Sequence, residues 1–205
     1  MQMTPDKKKN KLYIVVPCYN EEQVLGETSK RLKIKCKNLI QKGQISKDSK
    51  IVFVDDGSKD RTWKMISELH ETDSLFSGVK LSRNRGHQNA LLAGLTMASE
   101  HADMAISMDA DLQDDINAVD QMIEKYYEGC DIVYGVRSAR ETDTFFKRFT
   151  AESFYKLLNA MGAEVVFNHA DYRLLSARVL QEFAEFGEVN LFLRGMIPLV
   201  GFKST

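Results

Sequence analysis

Apolar positions along the 205-residue chain fall into two alternating rhythms. Short, nearly continuous apolar runs recur at Leu12 to Val16, Ile51 to Val54, Gly78 to Leu81, Met104 to Met108 and Asp131 to Tyr134. Runs of that length predict strands buried on both faces. Between them, apolar residues return every three or four positions through Glu21 to Gln41, Arg61 to Glu71, His87 to Ser99 and Ile116 to Glu128. That spacing predicts amphipathic helices. Strands alternating with helices predict an α/β layer structure: a mixed, mainly parallel sheet, helices on both faces, and ligands gathered at the strand C-termini.

From about Gly135 the alternation stops and aromatic and basic residues thicken, from Arg137 and Arg140 through Phe145-Phe146-Lys147-Arg148-Phe149 to Phe154-Tyr155-Lys156. On a helix, Phe146, Phe149, Phe154, Leu157, Leu158 and Met161 form an apolar stripe beside Lys147, Arg148 and Lys156. Such a stripe suits a core-facing helix, and it equally suits a helix lying on a membrane surface.

Composition narrows the class. Hydrophobic content of 43% and charged content of 28% are ordinary for one globular core. A net charge of -1 argues against nucleic acid as a partner. Three scattered cysteines, Cys18, Cys36 and Cys130, form no disulfide framework or zinc knuckle, which fits a reduced cytoplasmic setting. Met1 to Lys11 carries Lys7-Lys8-Lys9 without an apolar core behind them, and reads as a flexible tail rather than a signal peptide. No run approaches the roughly 20 apolar residues that span a bilayer. The C-terminus, Leu199 to Thr205, ends in apolar sequence without a stop signal and reads as a cut end.

Polar residues of chemical interest collect just after the expected strands. Pro17-Cys18-Tyr19-Asn20-Glu21-Glu22 follows the first: Pro17 lacks an amide hydrogen and would end the ladder, Tyr19 offers a ring for stacking, and Asn20 suits a helix N-cap. Asp55-Asp56-Gly57-Ser58 follows the second, where a carboxylate can accept from a base or ribose and Gly57 permits close backbone approach. Asp-Gly turns arise equally from plain turn chemistry. Arg83-Asn84-Arg85-Gly86-His87 leads into a helix start suited to anions, and position alone does not make His87 a catalyst. Asp109-Ala110-Asp111 follows the fourth strand. Strand alternation would point both carboxylates the same way, as a pincer for a hard cation such as Mg²⁺ or Mn²⁺.

In order along the chain, V-P-x-Y-N-E-E, V-D-D-G-S, N-x-G-x-x-x-A and M-D-A-D-L-Q-D resemble the family 2 glycosyltransferases. The likeness is to their polyprenyl-phosphate branch, which includes dolichyl-phosphate mannosyltransferases and bactoprenol glucosyltransferases, and it spans about Leu12 to Lys203. It implies a Rossmann-like GT-A domain over residues 12–205, with a nucleotide-sugar part at 12–134 and an acceptor-side part at 135–205. It further implies that Pro17, Tyr19, Asn20, Glu21, Asp56, Ser58, Asn84, Gly86, Asp109 and Ala110 surround a nucleotide-sugar donor, most simply UDP-glucose. Asp109, Asp111 and Gln113 would hold Mg²⁺ or Mn²⁺, and Asp111 would be essential to catalysis.

On the acceptor side, the resemblance makes Asp171 the expected base and Arg137, Arg140, Arg173 and Arg194 contacts to a polyprenyl phosphate. Ala170 stands where the family usually has glycine. The segment Asn190-Leu191-Phe192-Leu193-Arg194-Gly195 departs from the Q-x-x-R-W motif of processive relatives, so a single transfer is expected. The branch commonly continues into transmembrane helices, which favours membrane contact by residues 145–161 and action at the cytoplasmic membrane face. Transfer to a soluble or cell-wall glycan, or an inactive nucleotide-sugar-binding module, are the alternatives.

Overall fold

The computed structural model describes residues 9–136, 169–185, 197 and 201–205. In chain order these form β1 (Leu12–Cys18), α1 (Leu25–Gln41), β2 (Lys50–Asp55), α2 (Thr62–Thr72), β3 (Phe76–Lys80), α3 (His87–His101), β4 (Met104–Ser107), α4 (Ala118–Tyr127), β5 (Ile132–Val136), β6 (His169–Ser176) and α5 (Ala177–Glu185). The expected strands and helices are all present, most bounds shifted by one to four residues. The six-stranded sheet has the order β3-β2-β1-β4-β6-β5. β3, β2, β1 and β4 run parallel, while β6 lies antiparallel to both β4 and β5. The sheet is therefore mixed and mainly parallel, as the pattern predicts.

Every residue of β1 is buried, which explains its continuous apolar run. Leu12, Ile14 and Val16 face a layer supplied by α1, α2 and α4, including Leu32, Ile66 and Ile123. Tyr13 and Val15 face the other layer, with Leu91 and Leu95 of α3 and Val179 and Phe183 of α5. A central strand packed on both faces has no polar side to show. α3 approaches especially closely: a Cβ on Gly94 would fall 2.4 Å from Val15 Cγ1 and 2.8 Å from Val54 Cγ2. Glycine there brings the helix down onto β1 and β2.

Four details differ from expectation. Pro17 does not end the ladder; it pairs with Val54 and Cys18 pairs with Asp55. Val15 O accepts from Met108 N on the β4 side and Cys18 O from Asp56 N on the β2 side. Alternation turns the Pro17 nitrogen toward β4, whose pairing has already ended at Val15 and Ser107, so no ladder bond is lost. Second, α1 begins at Leu25 rather than Glu21. Third, Asn10 and Lys11 belong to the fold rather than to a loose tail: Asn10 Nδ2 donates to Tyr126 Oη at 3.0 Å, and Lys11 N to Asp103 Oδ2 at 2.6 Å. Fourth, β6 was not foreseen. It carries residues 169–176 between β4 and β5, so residues from both sides of position 135 share one sheet. Among the described residues no helix is long and apolar enough to cross a membrane.

Candidate active site

A cleft of about 330 Å³ opens at the C-terminal ends of β1 and β4, lined by Pro17, Glu21, His87, Asp109, Ala110, Asp111 and Asp171. Asp171 reaches it because β6 runs antiparallel, so the first residues of that strand meet the last residues of its neighbours. Arg173 pairs with Ser107, placing Asp171 just beyond the tip of β4.

The loops around the cleft are tied to one another. Asn20 lies in the left-handed region, φ 57. It is not a helix cap: its N donates to Ser58 Oγ at 3.0 Å, and its Oδ1 accepts from Lys59 N at 2.9 Å. Glu21 N donates to Thr62 Oγ1 at 2.8 Å, adding a third tie between the β1 and β2 loops. Tyr19 is 40% exposed at the strand exit, open to stacking. Asp56 is buried and accepts from Arg85 N at 2.7 Å and Gly86 N at 2.9 Å, so its carboxylate shapes the loop before α3. Asn84 Oδ1 accepts from the same Gly86 N at 3.1 Å. Gly57 has φ +70, and a Cβ there would lie 2.6 Å from Arg83 C and Asn84 N. Only glycine lets these two loops touch.

The Asp-Ala-Asp triplet stands beyond its strand, since β4 ends at Ser107. Strand alternation therefore does not aim its carboxylates; the turn does. Asp109 N donates to Asp114 Oδ2 at 3.3 Å, and buried Ala110 gives its carbonyl to Thr28 Oγ1 at 2.6 Å, moored on α1. Leu112 adopts φ 58, and Gln113 N donates to Asp111 Oδ1 at 3.0 Å. A non-glycine residue in that region costs roughly 1–2 kcal/mol, held here by the surrounding ties. Gln113 itself lines a separate groove with Arg31, Lys35 and Asp115. Through its backbone it stays beside Asp111.

Negative charge is concentrated in the cleft. Glu21 is pushed up from the usual carboxylate range, by burial first and then by Asp111, Asp60 and Asp109. Burial also pushes the Cys18 thiol up, with Glu21 adding to it, which makes a nucleophilic thiolate unfavourable. His87, exposed at the start of α3, stands between two carboxylates: Nε2 is 3.0 Å from Asp109 Oδ1 and Nδ1 is 3.8 Å from Asp171 Oδ2.

Asp171 is held from below. Arg173, 1% exposed, donates to its Oδ1, and Gln88 Nε2 donates to its Oδ2 at 3.0 Å. Arg173 was expected at an acceptor phosphate. The structure buries it as the partner of Asp171, because residues 171 and 173 share one face of β6. His87 and Gln88 are the residues that sequence reasoning missed. The available signal was the alternation in Asp171-Tyr172-Arg173-Leu174, which marks a strand carrying a charged pair on one face. Arg137, Arg140, Arg194 and the 145–161 segment lie outside the described residues.

Comparison with known proteins agrees with this architecture. The sequence pattern that defines Glycosyl transferase family 2 matches residues 13–183. The Uncharacterized glycosyltransferase YkoT of Bacillus subtilis (strain 168) is 54% identical over 193 residues, covering 94% of this chain and 57% of that protein. The Bactoprenol glucosyl transferase of Shigella phage SfV is 39% identical over 194 residues, covering 93% of this chain and 60% of that protein. The chain thus spans under two thirds of the length of these relatives. Among solved structures, the mannosyltransferase PcManGT from Pyrobaculum calidifontis, in complex with GDP-Man and Mn²⁺, superposes with a TM-score of 0.63 at 17% identity. That match covers 96% of this chain and 54% of that one, and establishes the GT-A fold. With the strand-end loops tied together beside one cleft and the family pattern matched from β1 to α5, the chain belongs to glycosyl transferase family 2, in the branch it shares with bactoprenol glucosyl transferases.

Proposed function

We propose that the protein moves a single hexose, glucose from UDP-glucose, onto a polyprenyl phosphate at the cytoplasmic face of the cell membrane, with inversion at the anomeric carbon. The observation that carries this reading is the convergence of Pro17, Glu21, Asp109, Asp111 and Asp171 on one cleft at the strand C-termini. Tyr19 supplies a stacking face for the base, and the loops organised by Asp56, Ser58, Asn84 and Gly86 frame the nucleoside.

The donor set suits a hard divalent cation. Asp109 and Asp111 present carboxylate oxygens to the same cavity, where Glu21 already feels their repulsion. Among the described residues no three His, Cys, Asp or Glu side chains form a ready-made metal cage. That fits Mg²⁺ or Mn²⁺, which are commonly held by one or two carboxylates and completed by substrate phosphates. When bound, the cation neutralises charge on the departing diphosphate.

The acceptor chemistry asks little of a base. A polyprenyl phosphate has a second pKa near 6, so at neutral pH its oxygen is largely ionised and ready to attack. Orientation then dominates: the cleft must bring that oxygen to the anomeric carbon on the side opposite the diphosphate. Arg137, Arg140 and Arg194, outside the described residues, are assigned by family resemblance to hold its phosphate, since guanidinium forks onto phosphate oxygens.

The test is a transfer assay with the full-length protein in detergent, using labelled UDP- and GDP-hexoses, Mn²⁺ and either a polyprenyl phosphate or a soluble glycan. The expected product is a lipid-linked monohexose from UDP-glucose. Label found only in the soluble glycan would overturn the acceptor assignment.

A further inference from the structure

Asp171 differs from the other cleft carboxylates in how it is held. Its side chain is 6% exposed, Arg173 donates to Oδ1, Gln88 Nε2 donates to Oδ2, and Ser107 Oγ donates to its backbone carbonyl. A guanidinium does not deprotonate in proteins, so its carboxylate partner is stabilised in the ionised form. A carboxylate gripped on both oxygens is also fixed in direction. Because an ionised carboxylate only accepts, the Gln88 amide must turn its Nε2 toward Asp171. That orientation leaves Gln88 Oε1 buried with no hydrogen-bond partner among the described residues. Asp171 is therefore a charged acceptor lining the cleft, with the Gln88 amide buried behind it.

A fixed, charged acceptor selects for donors. On the donor and acceptor assignments proposed above, on which this inference rests, the cleft receives a diphosphate, a lipid phosphate and a hexose. The phosphates bring charge of the same sign as Asp171 and are largely without protons at neutral pH. The hexose brings hydroxyl groups, each able to donate. We propose that Gln88 and Arg173 are positioning residues that hold Asp171 as a fixed hydrogen-bond acceptor for a hydroxyl of the transferred hexose. The three side chains then choose the sugar rather than relay a proton.

Deoxy donors test this directly. With the full-length protein and a polyprenyl phosphate, kcat/KM is measured for the preferred nucleotide hexose and its 2-, 3-, 4- and 6-deoxy analogues. One analogue is expected to fall about 10- to 100-fold, the factor carried by a hydrogen bond to a charged group. Gln88→Met keeps the side-chain volume and removes the donor. It should shrink that penalty about threefold or more, while affinity for the free nucleoside diphosphate changes less than about twofold. Asp171→Asn should bring the ratio for the same analogue toward one. A wild-type protein that uses every deoxy donor alike would overturn the proposal. So would a Gln88→Met protein that keeps the wild-type ratio or slows every donor by one common factor. A wild-type protein that moves no hexose to polyprenyl phosphate would instead sink the proposed function, a result visible before any variant is made.

Discussion

At the C-terminal ends of β1 and β4, Glu21, Asp109, Asp111 and Asp171 line one cleft, whereas at the opposite end of the sheet Asp103 and Asp131 are each matched to donors. Asp103 accepts from Lys11 N at 2.6 Å. Asp131 accepts from Ser176 Oγ at 2.8 Å and Arg178 Nη2 at 2.6 Å. Burial acts to raise the Asp131 carboxyl, but Arg178 and Ser176 outweigh it and hold it below its ordinary value. Glu21 goes the other way: burial and its acidic neighbours both push it up. One end uses acids to fasten strands. At the other, Glu21 stands close enough to Asp111 and Asp109 to feel their charge, while Asp171 is matched by Arg173 and Gln88.

On the proposed function, the largest effect should come from removing the Asp111 carboxylate. Asp111→Ala is expected to lower metal-dependent transfer by about 100-fold or more, while its melting temperature stays near that of the wild type because the side chain is exposed. Transfer assays beside thermal melts check this; full activity would remove Asp111 from the metal site.

Gly57→Ala probes the frame that the cleft stands on. A Cβ there meets the Arg83 and Asn84 backbone and forces φ +70 on a non-glycine residue, so a stability loss of roughly 1–3 kcal/mol is expected, with weakened nucleotide binding. Urea denaturation and a nucleotide titration would show both.

At the fastening end, Asp131→Asn should cost about 1 kcal/mol, discounted because Arg178 is 70% exposed. The sign with pH follows from the lowered carboxyl. Its stabilisation is present above the ordinary value of 3.8 and is lost as pH falls through the lower folded-state value. Wild type and variant should therefore differ at pH 7 and converge in strong acid.

The smallest effect, and the opposite sign, belongs to Glu21→Gln. A raised carboxyl makes the folded state lose stability as pH rises above 4.5. The variant should melt about 1–2 °C higher at pH 7 without metal, and gain less from added Mn²⁺. A lower melting temperature in metal-free buffer would contradict the repulsive picture.

Legibility in the sequence varied with what each residue packs against. The continuous runs of β1 and β2 and the periodicity of α1 to α4 are local signals of burial on both faces or one, and they were readable. Asn20-Glu21-Glu22 has the composition of a helix start, yet its amides and side chains bond to Ser58, Lys59, Thr62, Asp60 and Arg61, about 40 residues away, so α1 begins later. β6 was overlooked because Asp171 and Arg173 interrupt its apolar face, and they are tolerated there only as a buried pair.

The amino-acid sequence by itself determined the α/β order, the places where loops must be polar, and the family, because strand runs, helix periods and ordered motifs are properties of the chain read along its length. The tertiary structure alone decided which polar residues meet. It set His87 between Asp109 and Asp171 and placed Gln88 and Arg173 on opposite oxygens of one carboxylate. The reason is geometric: an antiparallel strand inserted between β4 and β5 brings residues 171 and 173 against 87, 88 and 107, separations of more than 60 residues that no local pattern records.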